Sequence, residues 1–459
     1  MSKKSILIAC FTLVSMLTSV VSASAQQVPS APGAVRSALR GMNITIGNWW
    51  SDYNTNTYRP RSDYEERQLD YRKRLLQEYN FTMQEKSIGG FGEIAQLAAT
   101  SIMAGRPAAT VFRLQPGWAL ALYGQNLLYP VSTRRVINWA GTSPIEWNRH
   151  VTTAFSFGNK SYAFMDGYGG SMNASVVFWN KRLFREAGLD PNLLYDLQKA
   201  GTWTWDKFLE ISKRLTRDIN NDGITDTYAM ASDFSKDILE ALVSSNGAMF
   251  VDRNRNSRLV NATGRPEFIE ALRFYARLRD EGIMKPKPAP DAPWDWYKAE
   301  FLNANVAMQI GQQHIVNSDL RNMRDDWGMV LPPKGPKSRN YVVFSFENVM
   351  VIPARGFTDA QVDAILWAVQ SWVTPVDPDW RVSQYSAYRD RRAVTETLEL
   401  IRNQSLWQWQ YHMHVPKLDT GHIAYEIWWN DGEPAQLIET VRQYWNASIE
   451  DANEEARGM

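Results

Sequence analysis

The stretches "VVFWNKRLFREAGLDP" (residues 176–191) and "GTWTWDKFLEISKRLT" (residues 201–216) decide how this chain is to be read. The first opens on an unbroken apolar run of β-branched and aromatic residues, which suits a strand buried on both faces. The second has helical spacing: Thr204 is placed to cap, Asp206 falls in the first turn where the helix dipole is positive, and Phe208, Ile211 and Leu215 line one face. A buried strand feeding an amphipathic helix is a unit of a layered α/β protein.

The same alternation extends outward. In "MNITIGNWW", Ile44 and Ile46 alternate with polar residues as in a strand that ends at Trp49 and Trp50. A helix is expected from about Tyr64 to Tyr79, a second strand at "FTMQEKSI", and a helix with Ile94, Leu97, Ala98 and Ile102 on one face, closed by Gly105 and Pro107. "AATVFRL" reads as a third strand. Further on, "PEFIEALRFYARLRDEG" starts at Pro266 and stops at Gly282, and "KPKPAPDAPWDW" is a surface loop. There is no solenoid or propeller period. With 459 residues, 44% hydrophobic and 22% charged, the chain can bury two cores. Two α/β lobes with mostly parallel sheets are the expectation.

At the N-terminus a short basic region precedes the apolar run Ile6 to Val21, and Ala23-Ser24-Ala25 has the small-x-small form of a signal peptidase site. Residues 1–25 therefore read as a signal peptide, with the mature chain outside the cytoplasm, and residues 26–41 as a loose leader rich in Ala, Ser and Pro. The single cysteine, Cys10, lies in "LIAC", a lipobox-like setting, but only four apolar residues precede it, fewer than a signal core needs. Removing the signal changes the formal charge from +1 to −1. Nothing here favours nucleic acid or an anionic membrane, and no later segment approaches a membrane span. Without cysteine, disulfides and thiol chemistry are excluded from the mature chain.

From the Phe-Trp-Asn-Lys turn, the Leu-Phe helix, the Gly-Leu-Asp-Pro loop and the Thr-Trp-Asp-x-Phe helix start, the chain resembles the family 1 extracellular solute-binding proteins of ABC importers, the group containing maltose-binding protein. "GRPAATVFRLQPGWALALYGQNLLYPV" resembles that family's third strand and following helix, with Ala109 in place of the usual aspartate. "AEFLNANVAMQIGQQHI" and "WGMVLPPKGP" resemble two later strands, with Asn305 where glycine is more common. The resemblance implies a type II periplasmic-binding fold: two lobes joined by crossing strands, with an interlobe cleft. Mapped by motif order, residues 42–152 plus 346–405 form the N-terminal lobe and 153–345 plus 406–459 the C-terminal lobe.

"DINNDGITD" numbers Asp218, Asn220, Asp222, Ile224 and Asp226 as positions 1, 3, 5, 7 and 9 of a calcium-type loop turning at Gly223. Position 12 is Ala229, where a sensor needs a bidentate glutamate, and "TYAMAS" reads as entry into a strand rather than a helix. A structural calcium, completed by a further ligand such as Asp233, is expected; an Asn/Asp-rich turn without an ion is the alternative.

There is no HExxH, GxSxG or phosphate loop, so an enzyme is not expected. The 19 tryptophans are the unusual feature, since flat apolar rings suit the C–H faces of pyranose sugars while amides and acids serve their hydroxyls. Trp49 and Trp50, beside Asp52, and the loop residue Trp118 are candidate ligand contacts, each weighed against core packing. Asp166 and Tyr168 come from the glycine-rich entry to the second lobe. By resemblance Trp179 occupies a ligand-contacting place in sugar-binding relatives, Gln312 and His314 replace a stacking tryptophan, and His422 and Tyr425 fall where relatives present an aromatic. Glu347, a carboxylate among apolar neighbours, is either paired within the scaffold or a ligand contact. The expected function is a monomeric periplasmic receptor that passes a carbohydrate to ABC permease subunits. A secreted carbohydrate-active enzyme and a ligand-sensing adaptor for a membrane receptor are the alternatives.

Overall fold

The computed structural model describes residues 26–141, 145–167, 173–231, 236–289, 291–293, 295–345, 348–415 and 417–457. Helix α1 (Gly33–Leu39) leads into β1 (Asn43–Asn48), α2 (Asp63–Tyr79), β2 (Thr82–Ser87), α3 (Ile94–Met103), β3 (Val111–Leu114) and α4 (Pro116–Gly124). The second part of the chain supplies β4 (Ser175–Asn180), α5 (Trp205–Leu215), α6 (Lys236–Ser245), β5 (Met308–Gln312) and β6 (Trp327–Val330). After these come β7 (Val349–Val351), α7 (Asp359–Val373), α8 (Thr420–Trp429) and α9 (Pro434–Arg457).

Two hydrophobic cores result. The first gathers Ile44, Ile46, Val111, Phe112, Met350 and Trp372 around a sheet of order β7-β3-β1-β2, in which β1 is parallel to β2 and β3 while β7 is antiparallel. The second gathers Phe178, Trp179, Trp203, Phe208, Trp327 and Met329 around a sheet of order β5-β4-β6. All six residues of β4 are buried, as its apolar run requires. Its two neighbours are antiparallel to it, which differs from the expected parallel arrangement. Alternation of strand and helix fixes the layers; strand direction depends on partners more than a hundred residues away.

The Thr204 hydroxyl accepts the Lys207 amide, as the sequence suggested, and α5 buries Phe208, Ile211 and Leu215. The 26–41 leader is not loose throughout. Val35 and Leu39, one helical turn apart, are buried and seat α1 against α7, and the Ala31 amide donates to the Tyr79 hydroxyl at 2.9 Å.

Lobe membership also differs from the motif-order boundaries. Ala154, Phe155, Ala163, Phe164 and Met165 belong to the first core, so the chain crosses between Met165 and Ala174. Tyr388, Ala393, Val394, Leu398 and Ile401, expected in the first lobe, pack into the second core. The return crossing lies between Val343 and Val349. Antiparallel bridges Phe164–Met350 and Ala174–Ser345 set the two crossing segments side by side. A further segment straddles the lobes: Trp407 and Val415 join the second core, Trp409 joins the first, and Tyr411 packs against both. Helix α9, about 36 Å long, buries Trp445 and Ile449 in the second core and reaches α4 of the first lobe, where Gly124 abuts the Glu455 backbone. Hydrophobic burial assigns a segment to a lobe by what it covers, and motif order does not record that.

Candidate functional site

Three strand ends of the first lobe deliver aromatic side chains to one place. At the end of β1, Asn48 Oδ1 accepts the Trp50 and Ser51 amides at 2.8 and 2.9 Å and its Nδ2 donates to the Ser51 carbonyl at 2.9 Å. This turn swings Trp49 and Trp50 out of the strand. Phe91 follows β2 in a glycine-flanked loop tied down by the Gly90 amide donating to Glu93 Oε2 at 2.9 Å. Trp118 stands in the first turn of α4, after β3.

Their rings pack edge to face. Trp49 lies 4.7 Å from Trp50, 5.8 Å from Phe91 and 5.4 Å from Trp118, and Phe91 lies 5.1 Å from Trp118, centroid to centroid. Such spacings are direct contact. They leave no space between the rings for a caged cation, which would itself sit within about 6 Å of each face. Trp49 and Trp118 are half-buried against the first core, whereas Trp50 is 46% and Phe91 56% exposed. The outward surface is therefore Trp50 and Phe91, with Trp49 and Trp118 as its support.

Asp52 is committed to the scaffold on one side: its Oδ1 accepts the Ser87 amide at 2.7 Å, joining the β1 turn to the end of β2. Asp166 stands near Arg113 and Glu85, which pair at 2.8 Å. Burial pushes the Asp166 carboxyl up, Arg113 opposes this and Glu85 reinforces it.

In the second lobe Gln312 ends β5, and His314, exposed, follows it. Gln312 Oε1 accepts from Asn173 Nδ2 at 2.7 Å, its Nε2 donates to Asp237 Oδ2 at 3.2 Å, and His314 reaches Asn173 Oδ1 from its backbone N–H at 3.1 Å and its Nδ1 at 3.0 Å. His422 and Tyr425 lie on the exposed face of α8 with Trp429, opposite buried Ile423 and Ile427. That helix is anchored where the Thr420 hydroxyl donates to Glu240 Oε1 at 2.6 Å, one turn along α6 from Asp237.

Trp179 is a correction. It is fully buried, its indole N–H donates to the Pro191 carbonyl at 2.9 Å, and its ring fills the space over Gly328, where even a methyl group would come within 2.2 Å of it. No face of the ring is left for a ligand. Tyr168, Glu347 and Asp233 lie outside the described residues. The sequence reading passed over Phe91, whose signal is an aromatic isolated by glycines after a strand end, and Asp237, for which the sequence offers none.

The acidic loop is exposed and folded on itself. Asp218 Oδ2 accepts the Gly223 amide at 2.8 Å, Asn220 Oδ1 the Asp222 amide at 2.8 Å, Asp222 Oδ1 the Ile224 amide at 2.8 Å and Asp226 Oδ2 the Ile219 amide at 2.7 Å. Asp218 Oδ1 is buried without a hydrogen bond. Among the described residues no three His, Cys, Asp or Glu side chains converge as a ready metal cage. After the loop the chain enters a short strand, Met230–Ala231, as expected.

Two α/β cores, paired crossing segments and side chains gathered at strand ends define a two-lobed receptor fold. The chain belongs to the bacterial extracellular solute-binding protein family, whose profile matches residues 87–352. Among solved structures, the cyclic α-maltosyl-1,6-maltose binding protein of Arthrobacter globiformis is similar at 14% identity, with a TM-score of 0.63 over 90% of this chain and 100% of that one. The UgpB protein of Mycobacterium tuberculosis in complex with glycerophosphocholine is similar at 16% identity, with a TM-score of 0.63 over 89% and 98%. An ABC substrate-binding protein of Listeria monocytogenes in complex with cycloalternan gives 16% identity and a TM-score of 0.59 over 90% and 98%. No curated protein matches the chain by sequence. Among the described residues no helix is long and apolar enough to cross a membrane.

Proposed function

We propose that this solute-binding protein is an exported, periplasmic, monomeric and non-catalytic receptor that closes over a sugar or oligosaccharide and passes it to the permease subunits of an ABC importer. The observation that carries the reading is the exposed pair Trp50 and Phe91, backed by Trp49 and Trp118 at three converging strand ends. Ligands of open α/β sheets sit beyond strand carboxyl ends, and aromatic faces suit pyranose rings. Ligand touching both lobes would stabilise the closed form by its differential affinity. Among the similar structures one is a cyclic α-maltosyl-1,6-maltose binding protein, one is in complex with cycloalternan and one with glycerophosphocholine, so fold alone leaves the solute class to the site.

The test is calorimetric titration with a panel of neutral oligosaccharides. Saturable binding accompanied by a change in tryptophan fluorescence supports the reading, and a panel with no binder and no thermal stabilisation overturns it.

The acidic loop is proposed as a structural calcium site. Asp218, Asn220, Asp222, the Ile224 carbonyl and Asp226 supply hard oxygens, and the unpaired Asp218 Oδ1 is the donor atom the fold leaves over. Bound calcium would replace the missing partner of that oxygen and draw the other carboxylates inward.

A further inference from the structure

Strand β5 runs antiparallel to β4, so Gln312 at its end stands opposite Ser175 at the start of β4. Both ends lie where the chain crosses between lobes, since neighbouring Ala174 bridges to Ser345 of the return segment. Helix α6 packs against β5 and brings Asp237 to the same edge. His314, Asn173, Gln312 and Asp237 thus form one hydrogen-bonded relay at the edge of the second lobe beside the crossing segments.

The direction of that relay is fixed by its ends. A backbone N–H can only donate, so the Asn173 atom facing the His314 amide is the carbonyl oxygen, and the Asn173 nitrogen faces Gln312. With the Gln312 oxygen taken by Asn173, the Gln312 nitrogen donates to Asp237, whose carboxyl burial and then Glu240 push up against the pull of that bond. His314 Nδ1, which also meets the Asn173 oxygen, must then carry a hydrogen, and in the neutral ring Nε2 is left as a lone pair. Although part of the side chain is exposed, desolvation by the surrounding groups and then Lys298 hold this imidazole below its usual range against the opposing pull of Asp319, so the ring is neutral near pH 7. At the other end, the Gln312 bond is the only hydrogen bond of the Asp237 side chain among the described residues, and a carboxylate has about four acceptor sites. Lys236 and Lys298 both favour the charged form of Asp237, and Lys298 also pairs with Asp295 at 3.7 Å.

We infer that the relay from His314 to Asp237 is the specificity-determining face of the second lobe, accepting hydrogen bonds from the O–H groups of a neutral ligand and rejecting a ligand that presents anionic oxygens there. The inference rests on the carbohydrate reading of the cleft and adds to it the residues that discriminate. A phosphodiester in this position sets acceptor against acceptor and strips water from both, whereas a polyol satisfies Asp237 and His314 together.

The test titrates wild type, Asp237→Asn and His314→Phe with neutral oligosaccharides of glucose, mannose and galactose and with glycerophosphocholine. Asn at 237 keeps the shape and still accepts from Gln312, but turns its second group into a donor. Phe at 314 keeps the backbone bond to Asn173 and removes Nε2. The expected result is that wild type binds at least one saccharide and no glycerophosphocholine, while each variant binds that saccharide at least tenfold more weakly with an unchanged melting temperature. Saccharide binding within twofold of wild type in both variants overturns the relay alone. A wild type that binds no saccharide overturns the carbohydrate reading and the relay with it.

Discussion

The indole of Trp49 stands edge-on to that of Trp118, centroids 5.4 Å apart and planes inclined at 71°, with both rings also touching Phe91. This contact separates support from surface. Trp50→Ala and Phe91→Ala remove exposed rings and are expected to weaken saccharide binding about tenfold, ~1.4 kcal/mol, with thermal stability nearly unchanged. Trp49→Ala removes a half-buried ring with three aromatic neighbours and should cost about 2 kcal/mol of stability as well. Parallel titrations and thermal melts check this; equal melting losses at all three positions would contradict it.

Trp179 answers to a different rule. Its complete burial over Gly328 predicts that Trp179→Ala lowers stability by roughly 3–5 kcal/mol and leaves the Pro191 carbonyl unpartnered. Denaturant unfolding measures the loss. A variant that keeps wild-type stability and loses only ligand affinity would return Trp179 to the site.

Calcium is expected to raise the melting temperature and chelator to lower it, by an amount equivalent to about 2.7 kcal/mol when free calcium is 100 times its dissociation constant. Asp218→Ala deletes the oxygen that has no protein partner and should abolish the response to both additions. Saccharide specificity should be the same with and without the ion. Wild type indifferent to chelator would exclude the site.

Acid sensitivity should begin well above the carboxylate range. His414 is buried, and its Nε2 accepts the Trp409 indole N–H at 2.9 Å, a bond that protonation would destroy. Burial, then Arg253 and His412, bring its pKa down from 6.5 to about 3. The unfolded chain therefore takes up this proton first. The stabilisation is complete above pH 6.5 and is lost between 6.5 and 3, at about 1.4 kcal/mol per unit. At Glu240 burial alone would raise the carboxyl, but the neighbouring His412 and the Thr420 hydrogen bond outweigh it and hold it below 4.5, so its contribution is lost only at lower pH. Melts of wild type and His414→Gln from pH 7 to 5 check the first window, and the variant should show a flatter profile.

Much of the fold is legible in residue order because its signals are local. The Thr204 cap, the 3.6-residue stripe of α5, the uninterrupted apolar run of β4 and the glycine-turned acidic loop each lie within a dozen residues and describe one element. The family pattern adds the two lobes. The candidate site is less legible. Of two tryptophans at or just past a strand end, Trp50 is exposed and Trp179 is enclosed, and the difference is that Gly328, 149 residues further on, leaves room for the second ring alone.

What the sequence by itself determined is the set of strands and helices and the acceptor-rich loop, both written in spacing, and the solute-binding family, carried by the resemblance of its motifs. Only the tertiary structure decided that residues 388–401 pack in the second lobe, that β4 has antiparallel partners, that Phe91 completes an aromatic surface and that Asp237 ends a relay begun at His314. The physical reason is common to all four: burial and hydrogen-bond direction are set by groups far apart in the chain, and periodicity reports only on neighbours.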